Sequence, residues 1–496
     1  MEARLLEIPR PRRIAVVLGP GVVLVALAAR LPGAVRDALW QDEVASARVI
    51  VEPSFGGMLQ HVRATEATPP LWYALGWLLH EVGLTPYGYR FFSVLFGGLL
   101  AAATYVLARR ILAPVPAMVA TAFVGLGFQF VDHGRELRAY ELYALFAVLF
   151  AIVLLRAVER PDVLRLAVLA GVVAAGSLTN YFFLAFLACG VLWLWLSSVP
   201  VQTRLRASAA ALVGLAAFAP WLPSAVAQYD HHHFAWIGPF KASRVLSAYW
   251  LLVAHEEPRT SVVHDLVPAA TFAAVVAGAI VLWRSPGTAR LVAVLAVLPV
   301  VLVAVVWAAG PEVFDPRNVL GSGPFAAVAV VAVAARAPMR LAAATAVVAL
   351  VLLGYGYVSS EATPPTDFEA VARALAREGW SPRRPIVLYG GDFFSFRGPL
   401  EWYLPGRPDL TLGLPQDRLC PRAFAVAVGD GHADQLGRRL HWQAVARVTH
   451  VTTAVLHPPV RLPSPRLRAV HVLTATRGHA ACVRPVAEAQ LRRELG

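Results

Sequence analysis

Long apolar segments recur along most of this chain, and most of them are separated by short loops that carry arginine. The segments are about 17 to 22 residues long, the length that an α-helix needs to cross the hydrocarbon core of a bilayer. Apolar residues make up 58% of the 496 residues and charged residues 15%, and the mean hydropathy is +0.60. This composition excludes an ordinary soluble domain. The sequence therefore predicts an α-helical polytopic membrane protein.

About 11 segments have the length and hydrophobicity of a transmembrane helix. They lie near residues 14–31, 88–108, 114–131, 138–156, 164–179, 181–199, 207–224, 265–283, 291–309, 318–335 and 341–358. The run at 71–82 is too short to cross and predicts a re-entrant or interfacial helix. The number of later spans favours a retained signal anchor over a cleaved signal peptide at the first segment.

The distribution of arginine between the loops predicts the orientation. With the N-terminus inside, every short inner loop carries at least two arginines, as the positive-inside rule requires. These residues are Arg109, Arg110, Arg156, Arg160, Arg165, Arg204, Arg206, Arg284, Arg290, Arg336 and Arg340. We therefore predict a cytoplasmic N-terminus and an extracytoplasmic C-terminus. Much of the net charge of +13 serves this topology, so it requires no nucleic-acid partner and suits contact with anionic membrane lipids.

The chain is predicted to contain two domains. Residues 1–358 form a transmembrane domain with outward loops at 32–87, 132–137 and 225–264. Residues 359–496 form a soluble α/β domain outside the membrane, with a helix over Asp367–Glu378 and strands bounded by Pro- and Gly-rich loops. The strands are predicted at Pro385–Tyr389, Ala423–Val428, Val445–Leu456 and Ala469–Thr474.

Two features of the C-terminal part bear on cofactors and cross-links. Tyr389-Gly390-Gly391 lacks the GxGxxG spacing and the lysine of a phosphate loop, so no nucleotide cofactor is expected.

Cys420 and Cys482 both fall outside the membrane, where an oxidising environment permits a disulfide. Sequence alone does not give their separation, so a free and a bonded pair both stay open.

Two adjacent carboxylates, Asp42 and Glu43, stand in the first outward loop, just after the first predicted span. Carboxylates are costly to hold beside lipid, which favours a functional role. One can act as a general base on a hydroxyl group that attacks a sugar, while the other orients the substrate or binds a metal ion. The structural alternative is that Asp42 caps a helix through Ala45–Val49.

A second candidate site lies further along the same loop. Glu66 precedes Thr68–Tyr73, in which two prolines fix an extended entry and aromatic side chains suit the membrane interface. Glu66 is a candidate ligand of a divalent metal ion, joined by at most one of three consecutive histidines. These histidines are His231, His232 and His233. A surface acid and solvated histidines are the alternative.

Cationic side chains that suit a phosphate group follow at three places. The segment Asp132–Tyr140 holds two acids, two arginines and a histidine, and either Arg135 or Arg138 can bind phosphate oxygens through its guanidinium group. Lys241 is the single lysine of the chain, and Arg317 lies at the outer end of a predicted span. Salt bridges that anchor the ends of the spans are the alternative for the arginines.

These motifs, in this order, resemble the GT-C superfamily of membrane glycosyltransferases. Over roughly residues 10–360 the resemblance is to the family 39-like enzymes related to protein O-mannosyltransferases and lipid A aminoarabinose transferases. The matching segments are Trp40–Glu43, Thr68–Tyr73, Tyr89–Ser93, Arg135–Tyr140, Thr179–Tyr181, Pro220–Pro223 and Pro316–Arg317. The chain departs from the family at Asn180, where relatives often have histidine, and at Asn318, where a tyrosine often follows the arginine.

The resemblance implies an outward active site in a bacterial cytoplasmic membrane and transfer, with inversion, from a polyprenyl-phosphate sugar. It implies that Asp42 is the base, with Glu43 beside it, and that Glu66 corresponds to an acid that contributes to a metal site in some relatives. The candidate phosphate ligands are Arg90, Arg138 and Arg317, with Lys241 added from an outward loop, and the supporting residues are Tyr73, Glu136 and Tyr140.

We therefore predict a membrane hexosyl- or pentosyltransferase that acts on a lipid, glycan or protein acceptor. A polytopic lipid or sugar transporter or flippase is the alternative, and a non-catalytic scaffold is a third. A transporter is disfavoured because ionisable residues are scarce within the predicted spans, whereas transport pathways place them there.

Overall fold

The computed structural model describes residues 13–230, 237–253, 261–285, 287–362 and 367–382, together with shorter stretches beyond them. Those stretches are 386–389, 393–404, 406, 408, 410–412, 424–428, 442–448 and 470–475. The chain forms two compact units. The first unit comprises Met1–Val35 and Val49–Ser360, and the second comprises Arg36–Arg48 and Glu361–Gly496. The sequence does not indicate that residues 36–48 belong with the C-terminal part, and the domain assignment at residue 358 stays a prediction.

Up to residue 362, the regular structure described is helical. The helices are α1 Arg13–Arg36, α2 Gln41–Ile50, α3 Phe55–Thr65, α4 Leu71–Glu81, α5 Pro86–Ala108, α6 Pro114–Leu126, α7 Phe128–His133, α8 Tyr140–Glu159, α9 Val163–Thr179, α10 Phe183–Leu196, α11 Val201–Ala216, α12 Leu222–Asp230, α13 Ala242–Leu246, α14 Ala248–Leu251, α15 Ser261–Trp283, α16 Thr288–Ala308, α17 Gly323–Ala334 and α18 Met339–Ala362. Short 3₁₀ helices lie at Ala219–Trp221 and Pro316–Ser322. The short helix expected at 71–82 is α4.

Seven helical segments of the described chain are long and apolar enough to cross a membrane. They are Gly19–Arg36, Pro86–Ala108, Tyr140–Glu159, Val201–Asp230, Leu266–Trp283, Thr288–Ala308 and Pro316–Ala334. Shorter apolar helices are Pro114–Leu126, Val163–Thr179, Phe183–Leu196 and Val347–Val358. The chain is therefore a multi-pass membrane protein, whereas the number of eleven spans and their orientation stay predictions.

The prediction of one continuous helix over 114–131 is wrong. Helix α6 ends at Leu126 and α7 begins at Phe128, because Gly127 between them has an extended backbone with φ −61° and ψ 142°. A Cβ atom at Gly127 would collide with the carbonyl oxygen of Phe123, so this break requires glycine. The short helix α7 then leads directly into the loop that carries several candidate site residues.

Helix α8 forms the centre of the first unit. Most of its residues are buried, and it packs against α5, α9 and the 3₁₀ helix Pro316–Ser322. Gly190 of α10 leaves room for the ring of Phe150, which brings the two helices close together. The hydroxyl group of Tyr143 donates to the carbonyl oxygen of Asn318 at 3.0 Å. This bond fixes the start of α8 against the 3₁₀ helix that carries Arg317.

The described part of the second unit contains a five-stranded mixed sheet. Its strands are β1 Ile386–Tyr389, β2 Leu410–Leu412, β3 Phe424–Val428, β4 Trp442–Val448 and β5 Val470–Ala475. Their order is β2-β1-β3-β5-β4, with β1 parallel to both neighbours and β5 antiparallel to both of its own. Two helices, α19 Phe368–Arg377 and α20 Phe393–Tyr403, accompany the sheet.

Helix α19 has the amphipathic pattern from which a helix over Asp367–Glu378 is predicted. Phe368, Val371 and Leu375 are buried at helical spacing, and the side chain of Asp367 caps the helix by accepting from the N–H of Ala370 at 2.8 Å. Strands β1, β3, β4 and β5 also overlap the predicted strands, whereas β2 and α20 are not predicted. Cys420 and Cys482 lie outside the described residues, so their bonding stays open.

Candidate functional site

The segment that carries Asp42 and Glu43 belongs to the second unit and forms the first turn of α2. The N–H of Trp40 donates to Oε2 of Glu43 at 3.3 Å, so Glu43 folds back on the helix start as in one half of a capping box. The alternative that Asp42 caps a helix through Ala45–Val49 is wrong. The helix begins at Gln41, one residue before Asp42, and the side chain that accepts a hydrogen bond at the helix start is that of Glu43.

The two carboxylates differ in exposure. Glu43 is fully buried, whereas Asp42 is half-buried. Both lie in the first helical turn, where the helix dipole favours negative charge. Glu43 is thus engaged at the helix start, and the role of Asp42 as a base stays a prediction.

In the first unit, Glu66 is held by a tyrosine and an arginine. It is 3% exposed, and its Oε2 accepts hydrogen bonds from the Tyr73 hydroxyl at 2.5 Å and from Nη1 of Arg138 at 3.2 Å. The Oγ1 of Thr68 lies 3.2 Å from the same hydroxyl. Burial, and then the charge of Glu66, raises the pKa of Tyr73 well above its usual range, so the phenol remains a donor. The structure thus joins three predicted site residues: Glu66, Tyr73 and Arg138.

Two guanidinium groups contact the ring of Tyr140. The Cζ atoms of Arg138 and Arg317 lie 6.0 Å and 5.9 Å from the ring centre. Nη1 of Arg317 is also 3.5 Å from the Tyr140 hydroxyl, and its Nε donates to Oδ1 of Asp315 at 3.2 Å. The two arginine side chains are only 14% and 21% exposed. A pair of partly buried guanidinium groups can bind the oxygens of a phosphate through charge-assisted hydrogen bonds.

A cluster of metal-ligand side chains lies beside this ring. One ligand atom each from Asp132, His133 and Glu136 lies within 4.8 Å of the others. Nδ1 of His133 is 2.9 Å from Oε2 of Glu136, and Arg135 donates to Oδ1 of Asp132 at 2.9 Å. Burial alone would lower the pKa of His133, but the carboxylate of Glu136 prevails and raises it. One imidazole and two carboxylates are a suitable ligand set for a divalent ion such as Zn²⁺.

The sequence predicts metal ligands at other positions, at Glu66 and one of His231, His232 and His233. The three histidines lie outside the described residues, so that combination stays a prediction. Glu136 is predicted only as a supporting residue, and neither Asp132 nor His133 is singled out as a ligand. The sequence feature that indicates this cluster is the spacing of Asp132, His133 and Glu136, which places three types of metal ligand within five consecutive residues.

The other two predicted phosphate ligands lie on other elements. Arg90 is 1% exposed near the start of α5, and its Cζ lies 5.7 Å from the centre of the Tyr87 ring. Lys241 is exposed immediately before α13. Their roles toward a phosphate stay predictions.

The first unit also contains an open apolar cavity of about 690 Å³ among α6, α7, α14, α15, α17 and α18. Its wall includes Phe130, Tyr249, Thr271, Gly323 and Val348. Phe130 precedes His133 in α7, and Gly323 directly follows the 3₁₀ helix that carries Arg317. Two parts of the cavity wall are therefore joined directly in sequence to the segments that carry His133 and Arg317. A cavity of this size and composition suits an apolar ligand.

Known proteins share parts of this sequence and this fold. Residues 67–224 match the family described as dolichyl-phosphate-mannose-protein mannosyltransferase. This match contains Tyr73, Arg90, Arg138 and Tyr140. No curated protein sequence matches the chain.

The structural similarity extends over nearly the whole chain. ArnT from Cupriavidus metallidurans in the apo state has 14% sequence identity and a TM-score of 0.53, with 92% of this chain and 97% of ArnT covered. The same protein bound to undecaprenyl phosphate has a TM-score of 0.52 at 14% identity, with 94% and 99% covered. The archaeal oligosaccharyltransferase AglB from Archaeoglobus fulgidus, in complex with an inhibitory peptide and a dolichol-phosphate, has a TM-score of 0.53 at 10% identity, with 84% and 69% covered.

The sequence match over residues 67–224 and the fold shared with ArnT and AglB support the class of protein that the ordered motifs indicate, the GT-C superfamily of membrane glycosyltransferases. The chain has an ArnT-like fold.

Proposed function

We propose that the protein is an inverting membrane glycosyltransferase that moves a hexose or pentose from a polyprenyl phosphate to a lipid, glycan or protein acceptor. The observation that carries this proposal is the pair Arg138 and Arg317 on the Tyr140 ring, in a unit that also holds an apolar cavity. The pair suits a phosphate, and the cavity suits an apolar chain. Solved complexes of ArnT with undecaprenyl phosphate and of AglB with dolichol-phosphate support the same substrate class.

The leaving group requires cationic residues. As the bond between the anomeric carbon and the phosphate oxygen breaks, negative charge builds up on the departing polyprenyl phosphate. Arg138 and Arg317 stabilise that charge, and they do so from positions already restrained by acids. Arg90 and Lys241 are proposed as further ligands of the donor.

The acceptor requires a base. Asp42 removes the proton from the acceptor hydroxyl while that oxygen attacks the anomeric carbon from the face opposite the phosphate, which inverts the configuration. Glu43 supports Asp42 by fixing the start of α2. No nucleotide cofactor is expected in this scheme, because the donor is already activated by its phosphate.

A divalent ion is proposed to assist. The donor set of Asp132, His133 and Glu136 fits such an ion, and Glu66 with one histidine of 231–233 is the combination favoured by the sequence. When bound, the ion would supply positive charge for the donor phosphate. A solved structure of the Archaeoglobus fulgidus oligosaccharyltransferase, at 13% identity, contains Zn and sulfate.

We place the active site on the outer face of a bacterial cytoplasmic membrane, with the N-terminus in the cytoplasm and residues 359–496 as a soluble α/β domain outside it. The arginine-rich short loops support this orientation through the positive-inside rule.

One buried ion pair bears on the transporter alternative. Arg30 of α1 donates to Glu141 of α8 at 3.4 Å, and both side chains are fully buried within candidate membrane spans. Arg30 also donates to the carbonyl oxygens of Ala26, Val124 and Gly125. These backbone bonds tie α1 to α6, so the pair is a structural link between helices rather than evidence of a transport path.

Transfer of radiolabel from a panel of polyprenyl-phosphate sugars by the purified full-length protein tests the proposal. We expect label to move to lipid, glycan or water with the wild type and with Glu369→Gln, a control acid on the surface of the second unit. Asp42→Asn should abolish transfer while the protein remains monodisperse. Equal activity of Asp42→Asn would remove Asp42 from the mechanism and direct attention to Glu43 or Glu136. Failure of the wild type to bind or turn over any donor would favour the transporter or the scaffold.

A further inference from the structure

Helix α20 of the second unit contacts the segment that carries the proposed base. The Tyr403 hydroxyl accepts a hydrogen bond from the N–H of Leu39 at 2.7 Å, and the same hydroxyl lies 3.5 Å from the carbonyl oxygen of Leu39. Leu39 is fully buried. A buried backbone N–H needs a partner, and Leu39 precedes the first turn of α2, so a side chain supplies the bond. Tyr403 thus anchors the chain three residues before Asp42.

A second contact anchors the other end of this segment. Nη2 of Arg48 lies 3.1 Å from Oε2 of Glu401 and 3.0 Å from the carbonyl oxygen of Gly398. The other carboxylate oxygen of Glu401 accepts from Nε of Arg397 at 2.8 Å. Burial opposes the charge of Glu401, but the two arginines outweigh it and lower its pKa, so the carboxylate is ionised at neutral pH.

The two anchors lie on one turn of α20 and hold residues 39 and 48, on either side of Asp42 and Glu43. A helix held at both ends has little freedom to rotate or shift, so the direction of the Asp42 side chain depends on α20. We propose that Glu401 and Tyr403 are positioning residues for Asp42. This inference rests on the proposed role of Asp42 as the base.

The role predicts a particular kinetic defect. Glu401→Gln removes the charge that holds Arg48, and Tyr403→Phe leaves the Leu39 N–H without its partner. Neither change touches the arginines proposed to bind the donor. We therefore expect kcat to fall by about 10-fold to 100-fold, the loss typical of a base displaced by about 1 Å, with the donor KM within about twofold of wild type.

The experiment uses the full-length protein in lipid nanodiscs and measures two quantities for each variant: steady-state kinetics and hydrogen–deuterium exchange of the peptide that covers residues 36–48. Exchange of this peptide should rise in Glu401→Gln and Tyr403→Phe. The matched control is Glu369→Gln, which breaks the exposed pair between Glu369 and Arg373 at 2.9 Å in the same unit. The control should leave both quantities at the wild-type level.

A charge reversal keeps the test decisive where a single variant folds poorly. Arg48→Glu and Glu401→Arg should each lower kcat, and the double variant should recover at least part of the loss. Wild-type exchange and wild-type kcat in both Glu401→Gln and Tyr403→Phe would overturn the proposal. If exchange rises in these variants while Asp42→Asn stays active, the anchors are real but Asp42 is not the base, so the two failures are distinguishable.

Discussion

The guanidinium carbon of Arg317 lies 5.9 Å from the centre of the Tyr140 ring, although 177 residues separate the two in the chain. Arg138 contacts the same ring at 6.0 Å. Each arginine is restrained by an acid, Arg317 by Asp315 and Arg138 by Glu66. Both cations are therefore ordered before an anion binds, which reduces the entropy lost on binding.

Arg317→Gln is expected to weaken the binding of a polyprenyl phosphate by about 10-fold to 100-fold. The reason is that a hydrogen bond to a charged group contributes about 1.5–3 kcal/mol. Calorimetric titration with a short-chain polyprenyl phosphate in detergent measures the change. Arg110→Gln is the matched control, because Arg110 pairs with Glu159 in an exposed position. An unchanged affinity in Arg317→Gln, with a normal unfolding temperature, would contradict the phosphate role.

The sequence predicted those parts of the molecule that local patterns determine. Apolar runs of sufficient length marked most of the helices, and the spacing of Phe368, Val371 and Leu375 marked α19. The break at Gly127 was missed because hydropathy is insensitive to a single extended residue inside an apolar run.

Contacts between distant residues could not be read from spacing. Glu66 and Arg138 are 72 residues apart, and Arg48 and Glu401 are 353 apart. The residue types indicated a site at Glu66, Arg138 and Arg317. No periodicity in the sequence, however, indicates that Arg138 and Arg317 contact the same ring, that of Tyr140. The anchoring of residues 36–48 by α20 depends on tertiary packing alone, and α20 itself contains Pro399, which weakens its helical signal.

The pair between Arg48 and Glu401 should make stability depend on pH in the acidic range. A carboxyl whose pKa is lower in the folded state stabilises the fold above its unfolded value, about 4.5, and this contribution is lost as the pH falls through the folded value. We expect the unfolding temperature of Glu401→Gln to lie below that of wild type at pH 7 and to approach it as the pH falls below about 4.5. Thermal unfolding across this range measures the effect. A constant difference at every pH would show that the charge of Glu401 does not contribute.

A divalent ion should stabilise the first unit through Asp132, His133 and Glu136. At a Zn²⁺ concentration about 100 times its Kd, binding would add about 2.7 kcal/mol to the free energy of unfolding. His133→Gln should abolish the rise in unfolding temperature on addition of Zn²⁺, whereas Glu66→Gln should retain it. The opposite pattern would place the ion at Glu66 and one of the histidines at 231–233.

The buried pair of Arg30 and Glu141 gives a prediction on stability. Arg30→Met leaves the carboxylate of Glu141 buried without its partner, which should destabilise the protein by about 3–5 kcal/mol. The double variant Arg30→Met with Glu141→Leu should recover much of this loss, because no buried charge remains. Unfolding in mixed detergent micelles measures both. A double variant as unstable as the single one would show that the bonds from Arg30 to backbone carbonyls dominate.

The apolar cavity should determine how the donor's chain length affects affinity. Ala274 and its neighbour Ala273 on α15 are both exposed, but only Ala274 lines the cavity, so Ala274→Trp would fill part of it. Loss of about 60 Å² of apolar contact corresponds to about 1.5 kcal/mol, so Ala274→Trp should bind undecaprenyl phosphate about 10-fold more weakly. A phosphate with a two-isoprene chain should bind both proteins equally, because it leaves most of the cavity empty.

Ala273→Trp is the control and should bind both lipids as wild type does. Equal loss of affinity for the short and the long chain in Ala274→Trp would show that the substitution disturbs the phosphate site and that the cavity does not hold the chain.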